Sequence, residues 1–178
     1  MNYNNYSSIG IDLKIKNIQN YLNDNLGFPN VDFFGRVQKI TNDDRKVYPK
    51  VLVSNTELKE VYYDDQNAPG GNVFFIDSDK HTTRDGIVFE SKVKIVFMLN
   101  LNKIDLTKDM SYRTDSEIQD YCIKILRKLK AIEIIEIEKG LKNILSDFDY
   151  SIVNKNDFQP YHTFSINGNL KYMFNCKN

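Results

Sequence analysis

The sequence has no tryptophan, only two cysteines and two histidines, and no excess charge of either sign. Each shortage excludes something. Cys122 and Cys176 are too few for a disulfide framework or a cysteine-based zinc site. Cys122 falls on an apolar helical stripe, where it reads as a small core residue. Lys plus Arg number 24 and Asp plus Glu number 24, so no global field draws the chain to nucleic acid or to an anionic membrane. No window approaches the roughly 18 apolar residues of a membrane span, and MNYNNYSS at the start has neither the basic residues nor the apolar run of a secretory signal. That usage suits a reducing compartment, or a particle assembled in one. G-x-S-x-G, the P-loop and G-x-G-x-x-G are all missing. Ala68-Pro69-Gly70-Gly71 is no phosphate cradle, because no Lys-Ser/Thr pair opens a helix after it. Alanine occurs only at Ala68 and Ala131, while Asn, Lys and Ile abound. An AT-rich genome produces that bias through its codons; it speaks of source and not of activity.

What is present is a chain of 178 residues, 41% hydrophobic and 27% charged, sufficient for one α+β domain over 1–178 with a short mobile start at 1–8. Its centre is IVFESKVKIVFMLNL, residues 87–101. Ile87, Phe89, Ser91, Val93, Ile95, Phe97, Leu99 and Leu101 alternate as one set, apolar apart from the serine. The other set, Val88, Glu90, Lys92, Lys94, Val96, Met98 and Asn100, is polar at its start and apolar later. A period of two is the pleat of a strand with a buried face. A strand this long exceeds what one small core covers, so part of it is expected to project or to lie against another chain.

Around this ribbon the segments fall into order. Ile11, Ile15, Ile18, Leu22 and Leu26 make the apolar stripe of a helix, with Ser8 as N-cap and Gly27 with Pro29 as the stop. Strands are predicted at 31–40, at 46–54 with Pro49 marking an edge or bulge, at 58–63 and at 72–77. SDKHTTRDG then reads as a long hairpin loop leading into the ribbon. Thr114 and Glu117 have capping-box spacing before a second helix with the stripe Ile118, Cys122, Ile125 and Leu129. The β-branched cluster Ile132, Ile134, Ile135, Ile137 and the following Gly140 favour a short strand at 132–137 and a short helix at 139–147. Asn167-Gly168 signals a hairpin, yet a three-residue loop and one uninterrupted strand both place Phe164, Ile166, Leu170, Tyr172 and Phe174 on one face. The ribbon's need for a partner of comparable length favours the uninterrupted strand. The expected architecture is an antiparallel twisted sheet with a long central strand and helices packed on one face.

The sharpest enzymatic pattern is Glu90-Ser91-Lys92, an E-x-K triplet on a strand, with Asp77 and Asp79 closing the strand before it. Nucleases of the PD-(D/E)xK type hold Mg²⁺ between two such acids, so that a bound water loses its proton more easily, and use the lysine for charge stabilisation. Asp77, Glu90 and Lys92 would be the catalytic set of that alternative. The triplet is short in a chain rich in Lys and Glu, and a solvated strand face explains it as well. Asp77, Asp79 and His81 alternate like metal ligands but lie in a polar turn; His162 has no paired Cys or carboxylate nearby in sequence. Eleven Tyr and eleven Phe fall at core parity with no basic stripe between them, which speaks against base stacking.

Taken together, FFGRVQKI with KVYPKV, DDQNAPGGNVFFID, KVKIVFMLNLNKI, IEKGLKNIL and DFQPYHTFSI resemble neck and tail-assembly proteins of tailed bacteriophages. The likeness, over roughly residues 11–172, is to ring-forming head–tail connector or tail-terminator-like proteins of phages with AT-rich genomes, including crAss-like phages. The resemblance implies a tail-terminator-like α+β virion subunit, assembled in the host cytoplasm. Such a subunit forms a homo-oligomeric ring between the portal complex and the tail proteins and needs no cofactor or catalytic residue. It meets DNA only as the genome passing through a channel, and it has no membrane partner.

Overall fold

The alternation at 87–101 becomes the middle of a six-stranded sheet. A computed structural model describes residues 1–3, 9–104 and 115–174. Its elements run β1 (Asn2–Tyr3), α1 (Gly10–Leu26), β2 (Val31–Arg36), β3 (Gln38–Thr41), β4 (Val47–Leu52), β5 (Leu58–Glu60), β6 (Gly71–Thr83) and β7 (Val88–Asn100). They continue through α2 (Asp115–Leu129), β8 (Glu133–Lys139), α3 (Leu141–Ile144), a 3-10 turn at Ser151–Asp157 and β9 (Tyr161–Met173). The fold is mixed α+β. The larger sheet has the order β1-β2-β6-β7-β9-β8, and β3-β4-β5 form a second, smaller one.

Several expectations need correcting. The large sheet is not wholly antiparallel, because β1 pairs parallel with β2 and β2 parallel with β6. The stretch 31–40 is two strands in two sheets, divided at Val37, and the helices do not share one face: α1 and α2 pack on one side of the large sheet, while the second sheet and α3 cover the other. Residues 78–83 are not a loop: β6 runs on to Thr83, and the connection to β7 is only Arg84–Ile87. Asp85 makes so tight a turn possible by accepting from the backbone of Ile87 and Val88. Asn2 and Tyr3, expected in a mobile start, form β1 against Phe33 and Phe34. Pro49 lies in the middle strand of the small sheet, opposite Lys39 on one side. The pairing with β5 reaches only Lys50, so the proline's missing N–H breaks no ladder there. The proposed caps Ser8 and Thr114 lie outside the described residues.

The predicted pairing of long strands is present. β7 and β9 pair without a break from Val88↔Met173 to Asn100↔Tyr161. Asn167-Gly168 therefore sits inside a strand, opposite Lys94 and Val93. The glycine is needed for another reason: a Cβ there would stand 2.4 Å from the carbonyl oxygen of Glu133 and 2.8 Å from the Ile132 side chain. It lets β8 close on β9.

The two faces of the sheet explain the two halves of the alternation. On one face Val93, Ile95, Phe97 and Leu99 pack with the stripes of α1 and α2, and Phe164, Ile166, Leu170 and Tyr172 of β9 join them. On the other, Val96 and Met98 pack with Phe34, Phe74, Val51, Leu141 and Ile144. This second layer stops short, and beyond it Glu90 and Lys171 stand in solvent. The polar beginning of the second set is the uncovered part of the sheet. Gly70 and Gly71 also have structural roles. A Cβ at Gly70 would lie 2.3 Å from the Pro29 carbonyl oxygen, and one at Gly71, where φ is +133°, would lie 2.2 Å from that of Met98.

Candidate functional site

Register decides the fate of the nuclease pattern. Asp77 is opposite Val93, which belongs to the helix-side core, so its carboxylate is on that face. Glu90 and Lys92 occupy the alternate positions of β7 and point to the other face, where Glu90 lies 3.9 Å from Lys171. Asp79 is exposed and paired with Lys39 at 2.7 Å. The structure therefore separates Asp77 from Glu90 and Lys92 by the thickness of the sheet.

Asp77 instead joins a network that the sequence did not announce. Arg36, the last residue of β2, donates from Nε and Nη2 to the two carboxylate oxygens of Asp12 at 2.7 and 3.1 Å, and from Nη1 to Asp77 at 3.4 Å. The hydrogen bonding to Asp12 is the largest influence holding the guanidinium's pKa above its ordinary value. A bulge between Asp77 and His81 brings the imidazole back onto the same face, with Nε2 at 3.1 Å from Asp77 and Nδ1 against the Tyr172 hydroxyl. The order carboxylate, imidazole, hydroxyl has the outline of a nucleophile relay. Tyr172 is only 2% exposed, however, and burial pushes its phenol pKa up, so no substrate reaches it and its anion is disfavoured. The network ties α1 to the sheet. Among the described residues, no group of three or more His, Cys, Asp or Glu side chains is placed to hold a metal ion. His162 stacks on Phe164 and meets the side-chain amide of Gln119 at 2.9 Å; it is a packed residue.

The remaining unpartnered features are the flanks of the large sheet and a groove at one end of it. On one flank β8 is the terminal strand, with Ile135 at 52% and Ile137 at 38% exposure. On the opposite flank β2 accompanies β6 only as far as Phe75, and Asp79, Lys80, Thr82 and Thr83 beyond it are exposed. Both are rows of backbone donors and acceptors with no strand beside them among the described residues. Ile135 falls at a bulge of β8, where Ile134 pairs with Gly168 and Glu136 with Asn167.

The groove, of about 880 Å³, lies where the two sheets end against each other. Phe34, Tyr62, Tyr63 and Asn72 line its buried side, and Tyr3, Asp32, Lys59, Glu60, Asp64 and Lys155 are around them. Tyr3 stacks on Phe34 with centroids 4.9 Å apart, and the Lys59 ammonium sits 3.7 Å above the Tyr3 ring. Asp65 anchors the adjoining loop by accepting from Tyr63, from Tyr161 at 2.8 Å and from Lys155 at 2.8 Å. Hydrogen bonding from Lys155, followed by that from Tyr63, holds its carboxyl well below the usual carboxylate range.

No family model, curated protein or solved structure matches this chain. Among the described residues, no helix is long and apolar enough to cross a membrane. Neither Arg36 nor Asn72 was singled out by sequence: each is an isolated polar residue beside an apolar run, with no partner at a recognisable spacing.

Proposed function

We propose that the chain is a non-catalytic virion subunit that closes into a ring at the neck or tail of a bacteriophage, as a head–tail connector or tail terminator between the portal complex and the tail. The observation that supports this reading most is the pair of unaccompanied strand flanks on opposite sides of one sheet. Two different flanks on one subunit suit a heterologous contact, in which the β8 side of one copy meets the β6 side of the next. Such contacts make a ring where the rotation closes. Strand addition supplies the cohesion through backbone hydrogen bonds. The DNA passing through such a ring is a passenger, and no cofactor is required. The ring's partners are the portal complex on one side and tail proteins on the other. Labelling the subunit in micrographs of the source particle tests the reading. A collar of density at the neck or tail end is expected; label confined to the capsid shell, or absent from the particle, would refute it.

A further inference from the structure

We infer that the groove between the two sheets is a docking site for an extended polypeptide arm from another protein. It is separate from the flanks assigned to ring closure and does not depend on that assignment. Three observations lead there.

The first is backbone geometry. The small sheet ends at β5, which contributes Lys59 and Glu60 to the groove and has no strand on its outer side among the described residues. The large sheet ends at β1, whose Tyr3 meets Lys59 across the groove. Leu58, at the other end of β5 and outside the groove lining, is 41% exposed. A peptide laid along β5 would find both backbone groups and apolar surface, as in strand-addition recognition.

The second is an orphaned acceptor. Asn72 is 4% exposed and lines the groove. Its amide nitrogen donates to the carbonyl oxygens of Val61 and Tyr62, at 2.9 and 3.0 Å, while its Oδ1 has no partner. A buried carbonyl oxygen without a donor keeps its full desolvation cost uncompensated. The oxygen itself has no exposed surface, so an N–H group from an arm in the groove would pair with it after a small displacement of the lining.

The third is what the lining excludes. Lys59 and Lys155 supply positive charge, and Asp32, Glu60 and Asp64 supply negative charge. A polyanion gains nothing from such a rim. Tyr3 has Phe34 on one face and the Lys59 ammonium on the other, so it offers no free platform to a base or a sugar ring. A polypeptide with an aromatic or long aliphatic side chain, flanked by residues of both charges, fits the aromatic floor and the mixed rim.

The test is selection of the intact chain against displayed random dodecapeptides, with the chosen sequences resynthesised and titrated into ¹⁵N-labelled protein. Enriched peptides carrying an aromatic or long aliphatic residue should shift the backbone amides of Lys59 and Glu60 and the side-chain amide of Asn72. Ile152→Glu places a charge at an exposed position of the groove lining without touching either core, and should weaken them at least tenfold. No enrichment, binding that shifts residues only outside the groove, or equal shifts from a dT12 oligonucleotide would overturn the inference. Ring formation is read separately by particle mass, so either result can fail alone.

Discussion

Asp77 and Glu90 lie on neighbouring strands of one sheet with their carboxylates on opposite faces. One is held by Arg36 and His81, and the other lies beside Lys171 in solvent. Their substitutions should therefore diverge. Asp77→Asn removes a buried charge from a paired network and is expected to cost about 1–3 kcal/mol. Glu90→Gln should stay within about 0.5 kcal/mol of the parent. Urea unfolding of the two variants checks this, and equal losses would contradict the placement.

Glycines at close backbone approaches should tolerate substitution far less than a glycine at a helix end. Gly71→Ala and Gly168→Ala drive a methyl group into backbone oxygens 2.2 and 2.4 Å away, so each should cost more than about 3 kcal/mol or prevent folding. Gly27 has φ +65° and open space around its Cβ position. Gly27→Ala should cost about 1–2 kcal/mol, the expense of the left-handed conformation alone. Thermal unfolding of the three variants gives the ranking.

His162 makes stability depend on pH in a defined direction. Burial is the main cause lowering its pKa from the ordinary imidazole value of 6.5, against the smaller opposing influence of Asp115; Lys139 lowers it further and Asp157 raises it. The unfolded chain then takes up the proton first as pH falls. The contribution of His162 is complete above about pH 6.5 and is lost as pH drops through that value, until the folded imidazole is protonated too. Protonation also sets an N–H against the amide of Gln119 if Nε2 is the nitrogen that gains the proton. Denaturation midpoints measured from about pH 8 to 5 should decline for the parent, and the decline should flatten in His162→Gln.

Much of the fold is legible where a period persists. The stripe of α1 is buried from Ile11 to Leu26, the short strand and helix after Ala131 are present, and the second set of the ribbon turns apolar where the second layer begins. What escaped has physical reasons. Parity says which residues share a face but not which strand lies alongside, so the parallel β2–β6 pairing was invisible. The polar composition of 78–83 resembles a loop because that stretch of β6 has no covering layer. The Asn167-Gly168 turn signal was a packing requirement of β8. As for the site, Asp77, Glu90 and Lys92 are readable as a candidate set, but the register of Asp77 opposite Val93 and the alternation of β7 place their side chains on opposite faces, which composition cannot foresee.

The flank of β8 gives a further prediction. Ile135 and Ile137 are exposed large apolar residues on a terminal strand, and charges on such edges discourage association. The double substitution Ile135→Lys with Ile137→Lys should leave the monomer folded by circular dichroism and reduce self-association at least tenfold in sedimentation equilibrium. Unchanged association would move the contact elsewhere.

The most direct measurement is imaging of the purified chain together with its mass by light scattering over a range of concentrations. The account predicts closed rings of one size, a fixed multiple of the 20.8 kDa subunit, that disappear with the lysine pair on β8. Particles that remain at 20.8 kDa throughout would contradict it.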